Sequence, residues 1–128
     1  MIVLDASVLI AYLDGDDSHH EAAERLLAGA IDDDLAANAL TLAEVLVVPV
    51  RGGRLRPVQT ALRHLNVDEL AFPPGTAVRL AQLRVDTGLK MPDCCVLLAA
   101  EEADAIIASF DERLVQAAQH RDMRVLGR

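Results

Sequence analysis

Two apolar runs constrain this chain more than anything else in it. Ile2-Val3-Leu4 and Ala105-Ile106-Ile107-Ala108 are too short for helices and are bounded by polar residues, so both read as buried strands. The first ends at Asp5 and the second runs into Ser109-Phe110-Asp111, and at both places a helical pattern takes over. Leu35-Ala36-Ala37 reads as a weak short strand. Val67 to Phe72 is an edge strand at best, because Asp68-Glu69 interrupts it, and Arg124-Val125-Leu126 is a last strand.

Helical patterns fill the intervals. They cover Ala6 to Leu13, about His19 to Ala30 with N-cap chemistry in Asp16-Asp17-Ser18, and Thr41 to Val48, interrupted at Pro49. Others run from Pro57 to about Leu65, over Ala77 to Leu83 with an end near Gly88, from Pro92 through Ala100, and from Glu112 to about His120. Short strands alternating with helices predict an α/β fold with a parallel sheet covered on both faces. In such folds ligands bind beyond the carboxyl ends of the strands, where Asp5 and Asp111 fall.

Residues 1–128 are expected to form one domain, and a hydrophobic content of 52% excludes a disordered chain. No apolar run approaches the ~18 residues of a membrane span, and the N-terminus lacks the pattern of a signal peptide, so a cytoplasmic protein is expected. Adjacent Cys94-Cys95 has neither disulfide nor zinc spacing and reads as a pair of small buried side chains. The net charge of −8 argues against a general nucleic-acid binder held by counterion release, but it is unevenly spread. Residues 1–50 carry ten acids against Arg25, whereas residues 51–90 carry seven bases against three acids. Arg51, Arg54 and Arg56 are the densest basic run and the candidates for holding an RNA backbone. Tyr12, Phe72 and Phe110 are the only aromatic rings besides histidine, so base stacking is not expected to be a large binding term.

Four acids are the candidate chemistry, and each has a structural alternative. Asp5 and Asp111 fit helix N-caps, Asp93 suits the positive end of a helix dipole, and Thr41-x-x-Glu44 fits a capping box. A cap contributes only about 1 kcal/mol. If the four converge, each pair ~6 Å apart repels by roughly 3 kcal/mol at an effective dielectric of 20, and six pairs outweigh four caps. Such a cluster needs a cation or bound protons, and an all-oxygen donor set suits Mg²⁺ or Mn²⁺. Hard cations among carboxylates serve phosphoryl chemistry.

Asp5-Ala6-Ser7 after an N-terminal strand, Thr41-x-x-Glu44, Met91-Pro92-Asp93 and Ser109-x-Asp111 together resemble the spaced acid motifs of the PIN-domain ribonucleases. Chain length and the segment Thr41 to Arg54 are similar to the VapC toxins of bacterial toxin–antitoxin pairs. The resemblance implies a three-layer α/β/α sandwich around a short parallel sheet and a metal-dependent endoribonuclease. Asp5 and Asp93 would bind the metal, Glu44 and Asp111 would be further or water-mediated ligands, and Ser7 and Ser109 would support the acids. It also implies a homodimer and a small VapB-type antitoxin that blocks the site. Cys94-Cys95 departs from the usual small or aliphatic residues, and Leu114 stands where an aromatic is frequent; neither removes a ligand.

Three rivals remain at this point. A phosphoaspartate phosphotransferase would want a second aspartate where Ser7 stands. A phosphoacceptor receiver domain would want a lysine late in the chain, and the only lysine is Lys90. A non-catalytic, partner-binding PIN fold is disfavoured because all four acids are present.

Overall fold

The computed structural model describes residues 1–127. Five parallel strands form one sheet in the order β3-β2-β1-β4-β5, with β1 Ile2–Leu4, β2 Leu35–Asn38, β3 Val67–Leu70, β4 Ile106–Ala108 and β5 Val125–Leu126. Seven helices are interleaved: α1 Ala6–Leu13, α2 His20–Gly29, α3 Ala39–Arg51, α4 Leu55–Leu65, α5 Thr76–Thr87, α6 Met91–Ala103 and α7 Glu112–His120.

Right-handed crossovers explain the layering. The chain starts on the central strand and steps outward through β2 to β3, which lays α1 to α4 on one face. It then returns to the far side of β1 and continues to β5, reversing direction and laying α5 to α7 on the other face. Two cores result. Ile2, Leu4, Val8, Leu9, Leu27, Leu35 and Val45 fill the first, while Val3, Leu83, Val96, Leu97, Ile107 and Leu114 fill the second. The alternation of Ile2, Val3 and Leu4 between them is the two-residue period of a strand buried on both sides. The order 3-2-1-4-5 differs from the 2-1-3-4-5 order of receiver-like domains, which removes that rival.

Several sequence expectations shift. β2 is not a marginal strand but a fully buried interior one, and it runs to Asn38 by pairing with Leu70. α3 is not interrupted at Pro49 but continues to Arg51; the proline forfeits one backbone donor bond in the last turn, with only two helical residues after it. α2 begins at His20 with His19 at its N-cap and no side-chain cap bond, so Asp16-Asp17-Ser18 forms a turn before the helix instead of capping it. β3 is an edge strand with Asp68 and Glu69 exposed, as their charge predicts. Cys94 and Cys95 are both buried and unbridged in α6, whose residues Cys94 to Leu98 are buried without a break.

A candidate acidic active site

Parallel pairing of Leu4 with Ala108 brings the carboxyl ends of β1 and β4 side by side, at the point where the strand order reverses. Asp5 follows β1 and Ser109 follows β4. Asp5 is buried, 7% exposed, with the backbone dihedrals of an N-cap but no capping bond from its side chain. Its Oδ2 instead accepts hydrogen bonds from Ser7 Oγ at 2.6 Å and Ser109 Oγ at 2.9 Å. Ser7 Oγ also accepts from the Phe110 N–H at 3.0 Å, and Ser109 Oγ accepts from the Asp111 N–H at 3.0 Å. The two serines thus tie the strand ends together around one carboxylate.

The other three acids arrive on separate helices. Proline at the start of α6 sets the helix entry, and Asp93 follows in its first turn. Asp93 is half-buried, and its carboxyl is pushed up to about 6, first by burial, then by the charges of Asp5, Asp111 and Glu44, with Lys90 opposing. The Glu44 carboxyl is also raised, by desolvation and then by Asp5. Four acids separated by up to 106 positions in the chain therefore act on one another across a single edge.

Of the four structural alternatives two hold: Asp93 lies in the first turn of α6, and Asp111 is a helix cap. Asp111 Oδ1 accepts from the N–H groups of Arg113 at 2.9 Å and Leu114 at 3.4 Å, and so starts α7. The capping box at Thr41 and Glu44 is absent: Asn38 caps α3, its Oδ1 accepting from the Thr41 N–H at 2.9 Å. Glu44 is thereby left exposed to the cleft.

A cleft of about 680 Å³ opens beside Glu44, between the end of α1, α3 and the start of α4. Arg54 lines it with Asp14, Asp16, Ile10, Leu13 and Val48. Of the three candidate arginines only Arg54 lines this cleft with Glu44; Arg51 and Arg56 are exposed outside its lining. Lys90, which nothing in the sequence marks as a site residue, occupies the N-cap position of α6 three residues before Asp93, and its charge acts on that carboxyl. His19 and His20 are not merely a solvated face. His20 Nδ1 lies 2.7 Å from the Ala11 carbonyl and Nε2 3.0 Å from Glu24, while His19 stacks on Phe110.

The donor set is all carboxylate, partly desolvated and mutually repelling, which fits a hard divalent cation in chemistry and charge. Among the described residues no three Asp, Glu, His or Cys side chains are gathered closely enough to hold a metal ion.

Comparison with known proteins matches residues 2–119 to the family model described as PIN domain. Among solved structures, the chain is similar to FitAcB from Neisseria gonorrhoeae, with 22% identity, 98% of this chain and 96% of that one covered, and a TM-score of 0.74. It is also similar to VapC20 of Mycobacterium tuberculosis, described as a sarcin-ricin loop cleaving toxin, with 18% identity, coverage of 91% and 95%, and a TM-score of 0.76. VapBC2 from Rickettsia felis, bound to a promoter DNA fragment, gives 12% identity, 98% coverage of both chains and a TM-score of 0.73. No curated protein matches the chain significantly.

Proposed function

Since the chain belongs to the PIN-domain family, we propose that it is a metal-dependent endoribonuclease acting as the toxin of a VapBC-like pair. The observation that carries the reading is the buried Asp5 carboxylate, held by two serines at the strand-order reversal, within electrostatic reach of Asp93 and Glu44. Asp5 and Asp93 would hold Mg²⁺ or Mn²⁺, with Glu44 and Asp111 as further or water-mediated ligands. Such an ion supplies a water activated for attack on an RNA phosphate and relieves charge on the phosphate. Ser7 and Ser109 fix the Asp5 carboxylate so that its other oxygen stays available, and the Asp111 cap bonds fix that side chain's direction. Arg54 would hold the RNA backbone at the cleft mouth, with Arg51 and Arg56 contributing charge beside it.

A small VapB-type antitoxin is the partner we propose for the same cleft. Ile10 and Val48 leave apolar surface exposed in its lining, and Val47, Val50 and Leu55 are exposed on the neighbouring turns of α3 and α4. VapB- and FitA-type complexes among the similar structures support this choice. A homodimer is also proposed, and Val78 and Val85, exposed on one side of α5, are its candidate surface. No helix among the described residues is long and apolar enough to cross a membrane, which accords with action in the cytoplasm.

The test is cleavage of total RNA by the purified protein with Mg²⁺, with Mn²⁺ and with EDTA. Cleavage is expected with either ion, none with EDTA, and none by a folded Asp5→Asn protein. Wild-type cleavage by folded Asp5→Asn would remove Asp5 from the site, and no cleavage under any condition would sink the ribonuclease reading.

A further inference from the structure

Among the described residues the one pair of stacked rings stands beside the acidic site. The His19 and Phe110 rings lie with centroids 4.9 Å apart and planes 12° from parallel. Phe110 sits between Ser109 and Asp111, and its N–H donates to Ser7 Oγ, which in turn donates to Asp5 Oδ2. The ring's backbone is thus two hydrogen bonds from the buried carboxylate.

A second residue also packs on this ring. Gly127 has a φ of +96°, and a Cβ there would lie 2.5 Å from the Ser109 carbonyl oxygen and 3.3 Å from Phe110 Cδ1. Only glycine lets the C-terminal segment press this closely onto the strand end. Phe110 is therefore packed against both Gly127 and His19. The His19 side chain remains 56% exposed, so its face turned away from Phe110 is open to water. Clefts of about 560 and 410 Å³ flank the pair, each lined by His19, Phe110 and Gly127. Val115 and Gln116 of α7 line the smaller one, an apolar wall and an amide beside a flat ring.

We propose that the His19–Phe110 stack is a nucleobase subsite, taking one unstacked base of single-stranded RNA next to the phosphate held at the acids. This rests on the ribonuclease reading for its substrate. A base would lie on the open face of His19, with its polar edge toward the Gln116 amide. Two aligned rings, one just past the end of β4 and one at the N-cap of α2, present a π surface at little ordering cost, and a stacked base contributes on the order of tenfold in binding. The sequence argued against stacking because rings are few. The fold concentrates an aromatic ring and a histidine, 91 positions apart, where stacking would matter.

The test reads His19 directly, by following the histidine ring protons of the full chain by NMR as adenosine, uridine or ribose 5-phosphate is added. Both nucleosides are expected to move the His19 signals upfield by ring current, with adenosine the stronger, while His64 and His120 stay put and ribose 5-phosphate has no such effect. On RNA, His19→Ala is expected to cleave about tenfold less efficiently and with altered base preference beside the cut, at an unchanged Tm; His19→Phe, which keeps a ring, should restore efficiency. An equal response to ribose 5-phosphate would assign the site to phosphate and overturn the proposal. RNA cleavage by the wild type without any His19 response to nucleosides would remove the subsite and leave the ribonuclease reading standing. A His19 response in a protein that cleaves no RNA would keep the subsite and remove that reading.

Discussion

Asp93 is the residue on which the electrostatic cost of gathering acids falls most heavily. Its carboxyl is raised from 3.8 to about 6 by burial and by three like charges, and only Lys90 opposes them. A folded-state pKa above the unfolded one means that the ionised form is disfavoured by folding. Stability is therefore fullest below about pH 4 and is lost as pH rises to about 6 and just beyond. An isolated cap would show the reverse. Asp93→Asn removes the charge and keeps an oxygen for the start of α6. In EDTA it is expected to melt above the wild type at pH 7 and with it at pH 4, while cleavage is lost. Mg²⁺ should raise the Tm of the wild type more than that of the variant, because binding to the folded state alone stabilises it. If Asp93→Asn melts lower at pH 7 in EDTA and Mg²⁺ shifts neither protein, the acids do not form a metal site. Asp111 makes a contrast, since it is a cap as well as a member of the cluster. Asp111→Ala should lose about 1 kcal/mol that Asp111→Asn retains, as read from urea melts, and neither should cleave.

At the scale of elements, α3 shows where a sequence is legible and where it is not. Thr41-x-x-Glu44 has the form of a capping box, yet the helix begins one residue after Asn38. A local pattern is degenerate, and here pairing of Asn38 with Leu70 extends β2 by one residue and moves the cap with it. The swap matters for function, because a Glu44 engaged in a box would not face the cleft. Asn38→Ala is expected to cost about 1 kcal/mol in urea melts, whereas Glu44→Gln should melt at or above the wild type while failing to cleave. If Glu44→Gln proves the destabilised variant, the box is real and Glu44 leaves the site. What the sequence did reveal follows from strong, short-range signals. Ile2–Leu4 and Ile106–Ala108 are too apolar and too short to be anything but interior strands, so Asp5 and Asp111 had to lie at their carboxyl ends. Pro92 and Gly88 likewise marked the boundary between α5 and α6. The neighbours of those acids were not legible, since Ser109 meeting Asp5 and His19 meeting Phe110 depend on which strands end up adjacent. No periodicity carries that information.

At the scale of the whole molecule, the proposed function would have a chain of net charge −8 bring a polyanion to four carboxylates, with its exposed cations deciding how. Some of the positive charge is already committed. Arg79 and Arg121 clasp Glu101, the latter at 2.9 and 2.7 Å, and Arg84 donates to the carbonyls of Gly88 and Leu89 between α5 and α6. Arg51, Arg54 and Arg56 lie exposed around the end of α3 and the start of α4, with Arg54 inside the cleft that Glu44 lines. Each phosphate neutralised on a single strand contributes about 0.7 to the slope of log K against log salt. Replacing all three arginines by alanine should therefore flatten that slope by about 2, measured by fluorescence anisotropy with a short RNA and the cleavage-deficient Asp5→Asn protein. Introduced into the active protein, the three changes should slow cleavage without moving the cut, because long-range charge sets encounter whereas the acids choose the phosphate. Arg54→Ala alone should produce the largest single loss, since it alone of the three shares the cleft with Glu44. An unchanged slope in the triple variant would leave these arginines as a soluble turn and shift the backbone contact to Lys90, the cation whose charge already acts on Asp93.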